Sequence, residues 1–410
     1  MDEIEVPQYF LCPISLQIMK DPVTTVAGIT YDRECIEKWL KTAAAAVCPV
    51  TKQTLSRGSD LTPNHMLRRL IQAWCVANAR NGIDRIPTPK SPIHRSAILK
   101  LVRDLKNGDG SQLNLIDMKK LEEFVAESER NKRLMAEAGV AKATFFYVLR
   151  CCEDGRTDGL DQALRILRLT WIPSPENKKI LEDHYLDSFV GSITWILNAD
   201  VEKTTKTHAL VVLKEFTQLV SATHLERLKS SFFGEIVRIL SGKISPKATK
   251  SALQILIETS DSSGRNRTKT VETGAVHELI EMELAIPTEK KTTELIFCLL
   301  AQLCSCADGR QRLLEHAGGV ALVAKRLLRV SPATDDRILC VMESIARSSA
   351  TPAVVVEMLR VGGVSKLCMV LQADCEGYLK KKAREILRLH CNMWSNSPCI
   401  QVYLLTRHTR

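Results

Sequence analysis

The rhythm of apolar positions changes once along this chain, near residue 80. Before that point short apolar runs alternate with polar turn signals; beyond it nearly every run has the 3.6-residue spacing of an amphipathic helix. Between them lies RNGIDRIPTPKSP, where Pro87, Pro89 and Pro92 fix φ and remove donors, disfavouring helix and central strand. The pattern predicts a small α+β module over residues 5–79, a Pro-rich linker over 80–95 and an all-α region over 96–400, so that the chain as a whole is mainly α. Within the module, LTPNHMLRRLIQAW predicts a helix capped by Thr62 or Asn64, with Met66, Leu67, Leu70, Ile71 and Trp74 as its core stripe.

The helical region repeats itself. The phrases ALRIL, ALVVL, ALQIL, ELIFCLL and ILCVM recur, and Leu164, Leu210, Leu253, Leu295 and Leu339 are spaced by 46, 43, 42 and 44 residues. A second phrase keeps time with the first: Val276, Val320 and Val364 in GAV, GGV and GGV stand 44 apart, and Val140 in EAGV stands 136 before Val276. A period in the low to middle forties with only helical patterning is that of armadillo or HEAT repeats, in which one unit cannot bury its apolar face without a neighbour. About six units are expected over 96–400, stacked as a superhelical solenoid. The glycines are expected to let the chain turn between helices, each after a polar phrase such as SERNKRLMAEAGV, SGRNRTKTVETGAV or DGRQRLLEHAGGV. Leu379, Ala383, Ile386 and Leu387, extended by His390, form the apolar side of the last expected helix. Its Lys380, Lys381, Lys382, Arg384 and Arg388 suit the polar outer side of a capping unit.

Charge changes this picture little. The net charge is +10, yet the first 80 residues hold nine basic and eight acidic side chains, so the excess is spread thinly over the repeats. Without a dense pattern of Arg and aromatic residues it reads as solubility rather than a nucleic-acid surface. Met1 to Pro7 is acidic and unlike a signal peptide, and no stretch reaches about 18 uninterrupted apolar residues. A soluble, intracellular protein is expected, cytoplasmic and also nuclear. Of the 14 cysteines, Cys298, Cys304, Cys340 and Cys368 lie in apolar helical stretches and read as small buried hydrophobes, with no disulfide expected.

The chemistry concentrates in residues 7–75, where CPI, DPV, YDRECIEKWL and CPVT are arranged like a RING finger, a cross-brace of eight Cys and His ligands around two zinc ions. On that frame the ligand positions are Cys12, Ser15, Ala27, Ile29, Asp32, Cys35, Cys48 and Thr51. Only three are cysteines and none is histidine, and a closed tetrahedral zinc site needs four such ligands, so no metal is expected. Ser15, Asp32 and Thr51, with Lys20, Asp21, Arg33 and Glu34, can tie the same loops together by hydrogen bonds; each buried group left unpaired would cost about 1–3 kcal/mol. No Ser-His-Asp set, Walker loop or dinucleotide fingerprint stands in a convincing context, so no catalytic residue or cofactor is assigned. The module resembles the U-box domain. The whole chain resembles the plant U-box ubiquitin ligases with armadillo repeats, of the compact kind lacking a further N-terminal domain.

That resemblance implies a zinc-free RING-like module that docks a ubiquitin-charged conjugating enzyme, and a solenoid that holds the protein substrate. The docking positions it implies are Ile14 in the first loop, Trp39 on the central helix and Pro49 in the second loop. Lys52 stands where many such ligases carry an arginine that contacts both the conjugating enzyme and ubiquitin; lysine keeps the charge and loses the planar fork. Cys12, Ser15, Asp21, Asp32, Cys35, Cys48 and Thr51 are implied to be structural. Ubiquitin is then transferred without a ligase thioester, the ligase holding the reactants in position. The family also suggests stress, hormone or immune signalling; a homo-oligomer is left open by the sequence. Two other readings remain open at this level: a non-enzymatic repeat adaptor, which has no reason to keep the Ile14, Trp39 and Pro49 trio, and a basic nucleic-acid or nuclear-transport binder.

Overall fold

Three short strands form the only sheet among the described residues: β1 (Pro22–Thr24), β2 (Thr30–Asp32) and β3 (Thr62–Pro63), in antiparallel order β2-β1-β3, with Val23 opposite both Tyr31 and Pro63. Gly28, at φ 75°, closes the turn between the first two, a conformation glycine adopts without a Cβ penalty. Helix α1 (Arg33–Thr42) follows β2 directly, and α2 (His65–Ala77) follows β3. The core beneath them is Phe10, Met19, Val23, Tyr31, Ile36, Leu40, Leu55, Ile71 and Cys75. The computed structural model describes residues 6–42, 47–55, 61–79, 95–107, 112–127, 129–173, 175–242, 244–285 and 289–408. The chain divides into two compact units, 1–92 and 93–410; of the expected linker, all but Arg95 lies outside the described residues, as do residues 43–46 of the Ala-rich stretch from Lys41 to Val47.

Helix α2 corrects one expectation. Asn64 is its cap, accepting from the Leu67 N–H at 3.0 Å, while Thr62 lies in β3. Leu67, Ile71 and Trp74 pack inward as expected, but Met66 and Leu70 are exposed. The helix lies against its module on one side only, so the inward stripe is narrower than the apolar pattern, and Cys75 rather than Met66 completes it.

Among the described residues, the regular structure of the second unit is all helical. An incomplete first pair, α3 (Arg95–Asn107) and α4 (Gln112–Glu127), precedes six triplets. These are α5 (Glu129–Glu137), α6 (Val140–Glu153) and α7 (Leu160–Thr170); α8 (Pro175–Ile180), α9 (Leu186–Asn198) and α10 (Lys203–Thr217); and α11 (Ala222–Leu225), α12 (Ser230–Gly242) and α13 (Pro246–Ser262). Then come α14 (Gly264–Glu272), α15 (Ala275–Ala285) and α16 (Lys290–Leu303); α17 (Ala307–Glu315), α18 (Gly319–Arg326) and α19 (Pro332–Ser348); and α20 (Pro352–Arg360), α21 (Gly363–Gln372) and α22 (Gly377–Leu389). Two further helices, α23 (Cys391–Trp394) and α24 (Pro398–His408), follow, so the basic helix α22 is not the last. Third helices α4, α7, α10, α13, α16, α19 and α22 pack one on the next, and second helices α3, α6, α9, α12, α15, α18, α21 and α24 form a parallel row. Between the rows runs one continuous apolar core, the stacking that repeat architectures need.

The recurring phrases now have physical roles. Leu164, Leu210, Leu253 and Leu339 are fully buried in third helices, whereas Leu295 is only half-buried and Phe297 takes the core position in α16. Gly139, Gly274 and Gly362 adopt φ of 78°, 85° and 80° where one helix hands over to the next. Gly318 does not, at φ −99°; there the constraint falls on Gly319, where a Cβ would collide with the Leu313 carbonyl oxygen. The polar phrase is a clasp. Asn131 donates to the Phe124 carbonyl of α4 at 3.1 Å, Asn266 to Thr259 of α13 at 3.2 Å, and the buried Arg310 to Cys304 at the end of α16 at 3.2 Å. Each satisfies a carbonyl that the helix end leaves without an intrahelical partner. His390 is a satisfied histidine, its Nε2 donating to the Ala346 carbonyl at 2.8 Å, but it ends α22 instead of extending its apolar face.

Candidate functional site

The sequence writes one loop twice in the first unit, CPISLQ from Cys12 to Gln17 and CPVTKQ from Cys48 to Gln53. The two fold alike. Leu16 N donates to the Cys12 carbonyl at 2.8 Å and Lys52 N to the Cys48 carbonyl at 3.0 Å; Cys12 N reaches Gln17 O and Cys48 N reaches Gln53 O, both at 2.8 Å. Leu16 and Lys52 both take the left-handed conformation, at φ 56° and 60°, which costs a non-glycine residue about 1–2 kcal/mol. Each loop wraps its cysteine thiol in donors, as a zinc knuckle would wrap a metal.

Around Cys12 the former ligand positions gather. Its Sγ accepts from the Asp32 N–H at 3.3 Å and is hydrogen-bonded by the Ser15 hydroxyl, which also reaches Cys35. Burial pushes the Cys12 thiol up, but these donors outweigh it and hold the group below its ordinary value; Cys35, with fewer donors, is raised by burial. Asp32 turns its carboxylate to Lys20 N at 2.8 Å and Asp21 N at 2.9 Å, fixing the end of the first loop against β2. Asp21 binds Arg33 Nε at 2.6 Å and faces Arg68 of α2 at 3.5 Å, joining loop, α1 and α2. Of the other expected polar partners, Lys20 contributes its backbone alone to this network, and Glu34 pairs with Lys38 on the surface of α1.

Around Cys48 the chemistry is shared with a residue the sequence did not single out. The buried Tyr31 hydroxyl lies 3.0 Å from Cys48 Sγ and accepts from Val50 N at 3.4 Å, while Thr51 N donates to the same sulfur at 3.4 Å. Burial raises the Tyr31 phenol well above its usual value, so it stays protonated and donates to the sulfur. Burial also raises Cys48, yet the Thr51 and Tyr31 hydroxyls and the loop N–H groups reverse the sign and bring it down from 9.0 to about 7. A thiol depressed by folding contributes stability that is fully present above pH 9.0 and is lost as the pH falls through about 7. The unfolding free energy of the wild type, taken from denaturant titrations, is therefore expected to rise over that interval by up to about 2 kcal/mol, and Cys48→Ser to flatten the rise. An unchanged slope in the variant would assign the pH dependence elsewhere.

Helix α1 sits between the two loops. Cys35 faces the first, and one turn later Trp39 faces the second, its Nε1 donating to the Val47 carbonyl at 2.9 Å. Ile14 and Trp39 are half-buried against the same core, Pro49 is half-buried, and Lys52 is exposed. Beside them stand two large apolar side chains left in water, Leu16 at 75% exposure and Val50 at 52%. The loop duplication was the signal that could have found them, since Val50 repeats Ile14 and Leu16 repeats Lys52 at an offset of 36 residues. Within the module, among the described residues, no set of three His, Cys, Asp or Glu side chains comes together in metal-binding geometry.

Comparison with known proteins agrees with this architecture in both units. Residues 6–80 match the U-box domain, and residues 97–410 match the plant U-box protein ARM repeat region. The chain is similar to E3 ubiquitin-protein ligase PUB24 of Arabidopsis thaliana, with 43% identity over 99% of this chain and 96% of that protein. PUB23 of the same organism, also an E3 ubiquitin-protein ligase, shares 42% identity over 97% of this chain and 96% of its own length. Among solved structures, an engineered protein aligns with a TM-score of 0.55 at 17% identity, covering 71% of this chain and 67% of that one, a likeness of fold alone. This chain belongs to the plant U-box proteins with armadillo repeats.

Proposed function

We propose that the chain is an E3 ubiquitin-protein ligase whose first unit receives a ubiquitin-charged conjugating enzyme on Ile14, Leu16, Trp39, Pro49, Val50 and Lys52, while the repeats hold the protein substrate. The observation that carries the reading is the pair of matched loops on either side of α1, which are strained and leave Leu16 and Val50 in water. Apolar side chains on a polar-rimmed surface mark a place where another protein sits. Lys52 supplies a cation beside them, although without the forked donors of arginine its hold on two partners at once is looser.

Transfer runs directly from the conjugating enzyme to a substrate lysine. Cys12 and Cys48 are fully buried, and the Cys35 thiol is half-buried and raised, so none suits the role of an accessible thiolate. What the module supplies is position: it holds the charged enzyme while the repeats bring the lysine near, which converts an encounter into an effectively intramolecular step. The division of labour is tested with activating enzyme, conjugating enzyme, ubiquitin and ATP. Deleting residues 96–410 is expected to preserve discharge of the conjugating enzyme and to abolish modification of the substrate. Full substrate modification by the first unit alone would refute it.

A further inference from the structure

The row of third helices ends at α22 among the described residues, but the row of second helices continues one step further, with α24 packed on α21. Elsewhere in the array a third helix packs both on the preceding third helix and on its own second helix, as α13 does on α10 and α12. The corresponding place beyond α22 is a groove of about 270 Å³, lined by Leu387 of α22, Trp394 of α23, and Ile400 and Leu404 of α24, with Arg384 and Arg388 on its rim. Leu404 is 45% exposed and its neighbour Leu405 69%.

The array's own chemistry indicates what fits there. Successive third helices are stitched by opposite charges: Arg168 of α7 to Glu215 of α10 at 3.1 Å, Asp336 of α19 to Lys382 of α22 at 2.6 Å, and Arg347 of α19 to Glu385 of α22 at 3.6 Å. On the outward side of α22 the exposed Arg384 and Arg388 face no carboxylate within ion-pair distance among the described residues. We propose that this groove is a docking seat for an amphipathic helix of a partner protein, carrying Asp or Glu beside an apolar ridge, which packs on α22 and α24 as a third helix packs elsewhere in the array. The ridge would cover Leu387, Ile400 and Leu404 over the buried Trp394, and the acidic flank would meet Arg384 and Arg388, the helix-in-groove mode of recognition. A second copy of this chain fits less well, because its own end presents the same positive charge.

The test uses the full chain and two synthetic helical peptides with leucines at i, i+4 and i+7, one flanked by glutamates and the other by lysines. The acidic peptide is expected to bind in fluorescence anisotropy, more weakly as salt rises, and the basic peptide not to bind. Joint Arg384→Glu and Arg388→Glu substitution should weaken the acidic peptide by roughly tenfold or more. Leu404→Asp should do the same without reversing charge on α22, which keeps the test informative if the double variant melts early. No binding of the acidic peptide, or equal binding by wild type and both variants, would overturn the proposal. So would sedimentation showing a wild-type dimer that Leu404→Asp dissociates, since the seat would then be filled by a second copy.

Discussion

Leu16→Gly is expected to make the first unit more stable and the ligase less active. Leu16 sits at φ 56° and is three-quarters exposed, so its side chain buries little apolar surface in return for left-handed strain. Glycine relieves that strain, worth about 1 kcal/mol after allowing for the greater freedom of the unfolded chain. If the side chain is there to meet a conjugating enzyme, its loss should weaken that complex by roughly tenfold, in the range of a docking hot spot. Opposite signs in the melt and in the binding isotherm distinguish an interface residue from a structural one, which would lose both together. Trp39 cannot give so clean an answer, because its indole N–H also braces the second loop through Val47. Trp39→Phe, which keeps a smaller aromatic ring and removes the donor, is the more informative change there.

The largest stability effect is expected at Asp32. Its carboxylate serves the N–H groups of Lys20 and Asp21, and its own N–H closes the Cys12 knuckle. Asp32→Ala removes a charged acceptor from two backbone donors, that of Lys20 exposed and that of Asp21 half-buried, a loss of about 2–3 kcal/mol. Asp32→Asn keeps one acceptor oxygen and should recover part of the loss. Because this carboxylate stands at a former ligand position, a chelator should leave the wild-type melt unchanged. Chemical denaturation of the first unit, with and without EDTA, checks both statements; an EDTA-sensitive melt would mean that a metal is still at work.

Much of this was legible in the sequence because it is local or periodic. The want of Cys or His at five of eight ligand positions is the ground for expecting no zinc cross-brace, and the spacing of Leu164, Leu210, Leu253 and Leu339 located the third helices. Long-range pairing was not legible. Nothing near Tyr31 in sequence says that its hydroxyl meets Cys48, 17 residues on, and the partner appears only once β2 lies beside the second loop. Apolarity also overstates burial at an interface: Met66 and Leu70 keep the helical period of α2 but lie outside its contact with the core. Leu295 shows the opposite limit, an apolar residue in phase with its repeat to within two positions that yields the core to Phe297. The polar phrases before Gly139, Gly274 and Gly318 repeat as clearly as the leucines, yet their purpose, capping a preceding helix with Asn131, Asn266 and Arg310, is visible only in three dimensions.

The central claim is that the matched loops activate a charged conjugating enzyme without taking ubiquitin themselves. Single-turnover discharge of a conjugating enzyme–ubiquitin thioester to free lysine, followed on gels with and without reductant, tests it most directly. The account predicts faster discharge with the full chain, loss of that acceleration in Ile14→Ala, and no reductant-sensitive ubiquitin adduct on the ligase. A reductant-sensitive adduct on this chain, or discharge no faster than with the conjugating enzyme alone, would contradict it.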